Sequence, residues 1–260
     1  MNLMILIALF MSGSAMAQGS GKIVGQLGMV EGQVFMDQRP VSRNIPIREG
    51  SIIEVKAGKA TLLLGTGSVF HLAANSKMTV TQFGIRNDSK KEGGDVSLHF
   101  GRTRALIMNK GNETKDVRII TRMATMGVRG TEVFVDVPED VSKPVQFFTL
   151  EGLAKVEMEK SPPVDVKQNQ GVSTAQSDAQ GEVQATPPRK TLSEVKQEIR
   201  EGGLQVATVK TPEQMNRSLG EFQRDPPPAI PFPRFDPIQD RVVPLKIQTR
   251  FCNATTGNCS

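Results

Sequence analysis

The chain has 260 residues, a net charge of +5, two Cys, two His and neither Trp nor Tyr. That length suits one ordinary domain with tails, and the scattered charge, with no Lys/Arg block or aromatic-interleaved basic patch, speaks against a nucleic-acid partner. The missing Trp and Tyr remove the side chains that most often stack on sugars and anchor protein interfaces.

The first 17 residues, "MNLMILIALFMSGSAMA", form a short apolar run closed by Ala15-Met16-Ala17. This A-x-A ending reads as a secretory signal peptide, with cleavage expected before Gln18. The run is shorter than the about 20 apolar residues that span a bilayer. No Cys stands directly after the cleavage point, which speaks against a lipid anchor, and no later segment is apolar enough to cross a membrane. An exported mature chain without a transmembrane segment is therefore expected, in the periplasm or secreted.

From residue 22 to 160 the sequence reads strand after strand. "QVFMD", "SIIEVK", "KATLLLG", "SVFHLA", "KMTVTQF", "VSLHFG", "RALIM", "VRIIT", "TEVFVDV", "PVQFFTL" and "AKVEME" are rich in Val, Ile, Thr and Phe, with turn residues between them. Many short strands at this spacing predict an all-β, antiparallel, sandwich-like domain. In "KMTVTQF", Met78 and Val80 share one face and Thr79 and Thr81 the other, which predicts a strand with one wet side. "ATLLLG" is apolar on both faces and should be central. Residues 86–95, "RNDSKKEGGD", read as a loop.

After residue 160 the composition shifts to Gln, Ser, Pro and Gly, so residues 161–190 read as a linker, with one edge strand possible in "VDVKQNQGVS". Two short helices are expected within residues 191–224. Thr191 and Glu194 make a capping-box pattern ahead of the stripe Leu192, Val195 and Ile199. Thr211, Pro212 and Gln214 do the same ahead of Met215, Leu219 and Phe222. Each is too short to stand alone in water, so it docks on the β domain or binds a partner. Residues 225–260 form a proline-rich tail that ends in "FCNATTGNCS". In an exported chain, the Cys252 and Cys259 pair reads as a disulfide closing a small turn-forming loop.

No catalytic or cofactor constellation emerges. No Gly-rich loop leads from a strand into a helix. "GTGS", Gly65 to Ser68, lies between two strands and reads as hairpin chemistry. His71 and His99 are isolated in strands and lack metal-ligand spacing, and His99 is expected on a wet face. The most informative stretch is "TRMATMGVRGTEVFVDV", which reads as strand, tight turn, strand. Gly130 fits a position of positive φ or close backbone approach, Thr131 bonds the turn, and Arg129 is expected to satisfy turn carbonyls or pair with an acidic neighbour.

"ATMGVRGTEVFVDV" followed by "PVQFFTLEGLAKVEM" resembles the closing half of the FecR domain. There an apolar-Arg-Gly-Thr run leads into an alternating strand, and a Glu-Gly turn opens the last strand. Val128-Arg129-Gly130-Thr131 is the most specific part of the match. "GMVEGQVFM", "IREGSIIEVKAGKATLLLGTGSVFHLAANSKMTVT" and "SLHFGRTRALI" match the family's opening strands in type and order, so the resemblance spans Lys22 to Lys160. It implies an exported β-sandwich-like module. In its namesake setting the module follows a cytoplasmic anti-sigma segment and a transmembrane helix, and relays an outer-membrane signal. The present sequence shows a cleavable signal in place of those segments. Fold, compartment and an interaction role therefore carry over, and a sigma-regulator role does not. The expectation is a non-catalytic binding, scaffold or relay module contacting an envelope protein or cell-wall component. The alternative is an envelope hydrolase with an unrecognised site.

Overall fold

The computed structural model describes residues 21–85, 92–109, 115–176 and 183–204. The chain divides into two units, Met1–Pro226 and Pro227–Ser260, and every described residue belongs to the first. The expected signal peptide, the second helix around Thr211, and Cys252 and Cys259 all lie outside the described residues.

Fifteen strands and one helix make up the described part. In chain order the strands are β1 (Ile23–Met36), β2 (Arg39–Pro40), β3 (Pro46–Arg48), β4 (Ile52–Leu64), β5 (Ser68–Leu72), β6 (Ser76–Ile85) and β7 (Glu92–Ile107). They continue with β8 (Asp116–Ile120), β9 (Ala124–Val128), β10 (Glu132–Val137), β11 (Gln146–Glu151) and β12 (Leu153–Met158). Last come β13 (Val164–Lys167), β14 (Gln170–Gln176), β15 (Val183–Thr186) and helix α1 (Leu192–Glu201). The main path of the sheet runs β13-β12-β9-β8-β7-β10-β11-β14-β15, with β1 to β6 joined through β5–β7 and β6–β7.

The all-β expectation holds, with four corrections. The sheet is not purely antiparallel, because β7 pairs β8 in parallel from Gly93↔Asp116 to Ser97↔Ile120. The segments "SIIEVK" and "KATLLLG" are one strand, and so are "VSLHFG" and "RALIM". The last residues of the expected loop, Glu92 to Asp95, already belong to β7. The expected linker, residues 161–190, carries β13, β14 and β15.

That last segment has few apolar residues, yet it is ordered for a simple reason. An added strand takes its main-chain partners from a sheet that already exists. Strand β13 pairs β12, β14 pairs β11, and β15 pairs β14. Only single inward positions such as Val166 and Val172 need to be apolar.

The long strands change partners at glycines. Before Gly58, β4 pairs β6 (Ile52↔Thr79 to Val55↔Ser76), and after it β4 pairs β5 (Ala60↔Leu72 to Leu64↔Ser68). Gly58 has φ +89° and stands opposite Gly32, with φ +80°. A Cβ on Gly58 would lie 2.0 Å from the Glu31 carbonyl oxygen, so no side chain fits there. Strand β7 shifts likewise at Gly101, from β6 to β5 and β10.

The core follows the two-residue period of the strands. Leu62, Phe70, Leu72, Ala105, Val133, Val135 and Phe147 point into the main cluster. "ATLLLG" is central, as expected: Ala60 to Leu64 are all buried between β1 and β5. The opposite face of the same strands carries the cross-strand row Thr61–His71–Arg104–Phe134–Phe148–Gly171. Helix α1 covers part of that face. Val195, Ile199 and the following Leu204 pack on Ala73, Phe134 and Phe148, with Leu150 at the margin. The predicted cap is present: the Thr191 hydroxyl accepts from the Glu194 N–H, and Glu194 reaches back to the Thr191 N–H. Thus α1 docks on the β domain.

Candidate functional site: the Arg-Gly-Thr turn and its neighbours

The turn joins β9 to β10, and three of its four residues are used internally. Val128 is fully buried and pairs with Val117 and Ala154 on its two sides. Gly130 sits at φ +57°, the left-handed region that a side chain resists. The buried Thr131 hydroxyl lies 2.7 Å from the Arg129 carbonyl and 3.0 Å from the Leu153 carbonyl. It therefore ties the turn to the first residue of β12. The Thr131 carbonyl accepts the Ile107 N–H at 3.0 Å, which closes the end of β7. The Glu-Gly turn comes to the same place, since a Cβ on Gly152 would stand 3.0 Å from the Thr131 hydroxyl oxygen. The two glycine turns singled out in the sequence are thus packed against each other.

Arg129 differs from its neighbours. Its side chain is exposed, and its Nε lies 3.8 Å from Asp116. An ion pair that long and that wet is worth little. Of the two roles expected for Arg129, the acidic partner is the one realised, and it is weak.

The "GTGS" turn connects β4 to β5, as expected of a hairpin. Its Thr66 is held by Glu92: the Thr66 N–H donates to Oε1 at 2.6 Å, and the hydroxyl donates to Oε2. The same carboxylate takes the buried Lys115 ammonium at 3.3 Å. The Lys115 N–H donates to Asn109 Oδ1 at 3.3 Å, and the Asn109 amide lies directly against Gly130. A chain of contacts, Thr66–Glu92–Lys115–Asn109–Gly130, therefore links the two turns. Sequence reading missed Glu92 and Lys115 because Glu92 was assigned to a loop and Lys115 to no element. The parallel β7–β8 pairing brings them together, and no local pattern announces it. Ser68 is buried and faces Leu64 and Ile107 across the ladder, which is not the exposed position of a nucleophile.

The two histidines are far from forming a pair. His71 is 4% exposed, and its Nδ1 lies 3.0 Å from the Thr61 hydroxyl. Burial first, then the positive charges of Arg104 and Lys59, lower its pKa to about 4, so it is neutral at pH 7. His99 lies on the wet face, with Nε2 2.8 Å from the Thr79 hydroxyl, and burial followed by Lys77 lowers its pKa. Among the described residues no group of three or more His, Cys, Asp or Glu is placed to hold a metal ion.

A cluster of paired charges lies under α1, where sequence reading had placed no site. Lys190 Nζ donates to Asp136 at 2.7 Å and to Glu198 at 2.6 Å. Burial works against its charge, but these two carboxylates outweigh it and raise its pKa. Arg102 approaches Glu198 at 3.6 Å. Arg104 pairs with Glu132 at 2.8 Å and donates to the Leu204 carbonyl at 2.7 Å. No sequence pattern connects these positions, because three separate elements, β7, β10 and α1, and the residues flanking α1 supply them. The capping box and the apolar stripe behind it were the legible signs that a helix begins beside Lys190.

The chain is similar to two crystal structures of a candidate anti-sigma factor from Parabacteroides distasonis ATCC 8503, with 21% and 20% identity and TM-scores of 0.44 and 0.43. The matches cover 56% and 57% of this chain and 62% and 63% of those chains, so under two thirds of the length of the solved proteins is spanned. A search of curated proteins finds no match. The family model described as "FecR protein" matches residues 51–155, from the residue before β4 into β12, a narrower span than Lys22 to Lys160 and one that contains both glycine turns. The Arg-Gly-Thr turn therefore lies inside a segment, residues 51–155, that matches the FecR protein family.

Proposed function

We propose that this protein is an exported, non-catalytic envelope module whose FecR domain contacts a protein or cell-wall partner, as a binding, scaffold or signal-relay element. The observation that carries this reading is the FecR match over residues 51–155. The geometry of the signature supports it. Val128, Gly130 and Thr131 are used in building the turn, and the exposed Arg129 makes a long ion pair with Asp116. Isolated, unlinked histidines fit the same picture. Export rests on the Ala15-Met16-Ala17 ending, and the Cys252–Cys259 disulfide would follow from that compartment.

The test is a pull-down from envelope extract with the mature full-length chain, together with Ala variants at His71, His99 and Arg129. A partner enriched by the wild-type chain, recovered in the reciprocal experiment, supports the reading. A hydrolytic activity that disappears with one of these variants while the fold persists refutes it in favour of an envelope hydrolase. Mass spectrometry of the protein from its native host checks export: the expected first residue is Gln18, and an intact Met1 on membrane-embedded protein is the contrary result.

A further inference from the structure

We propose that the sheet face beneath α1 is a helix-binding groove that α1 occupies in cis, and that a partner protein presents an amphipathic helix of the same charge layout to displace it. This rests on the binding-module reading and names the surface and the chemistry that such a module would use.

The groove has an apolar floor of Ala73, Phe134 and Phe148, with the half-buried Leu150 at its edge. The two rings lie 6.5 Å apart between centroids and are tilted by 59°, so they present an uneven surface and not a flat one. Charges stand around the floor in a fixed order. Arg102 and Arg104 come from β7, and Asp136 comes from β10. The occupant answers each of them. An apolar pair at i and i+4, Val195 and Ile199, fills the floor. A carboxylate at i+3, Glu198, faces Arg102. The chain leaving the helix offers the Leu204 carbonyl to Arg104. Lys190, one residue before the cap, neutralises Asp136. A ligand for this face is therefore a helix with an acidic i+3 position, a cation before its N-terminus and carbonyls free at its C-terminus.

Three features make α1 a replaceable occupant and not a fixed part of the core. It has ten residues, a length at which an isolated helix is marginal in water. Its apolar contact belongs to a cluster separate from the main core. And α1 does not fill the groove: a cleft of about 450 Å³ runs along its flank, between Ile199, Lys196 and Arg200 on one side and Leu150, Glu132 and Glu151 on the other. A longer or bulkier helix would use that space. The segment before α1 contains Pro187–Pro188, which cannot add main-chain N–H groups to a ladder and so leaves the helix joined to the sheet by a strap.

The probe is a fluorescein-labelled peptide with the sequence of residues 187–204, titrated into the mature full-length chain. A tethered helix competes at an effective concentration on the order of millimolar. Wild-type chain should therefore bind the peptide at least ~10-fold more weakly than the Val195→Asp/Ile199→Asp variant, whose own helix is released. A peptide carrying Glu198→Lys should lose roughly 10-fold in affinity for that variant, a loss of about 1.4 kcal/mol. A folded variant that binds no better than wild type, or equal binding of both peptides, overturns the proposal. Hydrogen exchange on the unmodified chain gives a second readout. The α1 amides should open without β7 and β10, and saturating unlabelled peptide should speed their exchange. If they exchange only with global unfolding, α1 is core and the groove is rejected. Should the chain instead dimerise by exchanging helices and ignore the peptide, the occupant is a second copy, and the partner assignment fails. Capture of the envelope partner that persists under saturating peptide rejects the groove while leaving the binding-module reading intact. Peptide binding as expected, with no partner captured, rejects that reading and with it the partner helix, and leaves α1 as an occupant in cis alone.

Discussion

Replacing Gly130 with Val places a β-branched side chain at φ +57°. The left-handed region costs an ordinary L-residue roughly 1–2 kcal/mol, and a β-branched one is at the upper end. The new Cβ would also stand 2.1 Å from the Asn109 amide nitrogen. Asn109 is an exposed side chain and can swing away. In doing so it gives up its 3.3 Å bond from the Lys115 N–H, worth about 1 kcal/mol at most. The two costs together come to about 2–3 kcal/mol. For a chain of this size, where 1 kcal/mol moves the midpoint by about 2–4 °C, Tm should fall by roughly 4–12 °C. Gly130→Asn should fall less, because Asn tolerates the left-handed region. Arg129→Ala should change Tm hardly at all, since its one ion pair is long and exposed. Thermal melts of the mature chain followed by circular dichroism measure all three. If Gly130→Val melts like wild type, or Arg129→Ala loses as much, the turn is not held together as described. Normal melting of Arg129→Ala with loss of partner capture would make Arg129 a contact residue and the turn more than structural.

Thr131→Val should lose about 1–1.5 kcal/mol, because the Arg129 and Leu153 carbonyls lose their shared donor, while Thr131→Ser should recover most of it; denaturant midpoints of the two variants decide. Gly58→Ala should cost more than Gly130→Val, because its Cβ meets the Glu31 main-chain oxygen at 2.0 Å and no side chain can move aside; a Tm no lower than that of Gly130→Val contradicts the partner change at Gly58. His71 is depressed in the folded chain from 6.5 to about 4. The unfolded chain therefore binds the extra proton first, so this contribution is complete above about pH 6.5 and is lost as pH falls towards 4. The loss is about 3 kcal/mol at its limit, and His71→Gln should remove that part of the pH dependence in urea titrations at pH 7, 5.5 and 4.

Much of the domain was legible along the chain. Period-two alternation located Met78 and Val80 inside and Thr81 outside, because half-buried strands impose that rhythm. The capping box of Thr191 and Glu194 marked the start of α1, because capping is set by residues three apart. Gly130 was readable for the same local reason, because a tight turn between strands calls for positive φ, whereas the Glu-Gly turn at Gly152 was marked by the family resemblance. The tertiary structure alone decided what depends on distant residues meeting. Strands β13 to β15 exist because a neighbouring sheet supplies their main-chain partners, which low apolar content cannot reveal. Gly58 and Gly101 pass the chain through without a turn, because each stands within a ladder whose partners change on either side. The Glu92–Lys115 pair requires the parallel β7–β8 register, and the cluster of Arg102, Arg104, Asp136, Lys190 and Glu198 requires α1 to fold back across β7 and β10. Local propensity acts within a few residues, whereas charge pairing and strand addition act across whatever the fold brings together, so the turns were visible in the sequence and the groove beneath α1 was not.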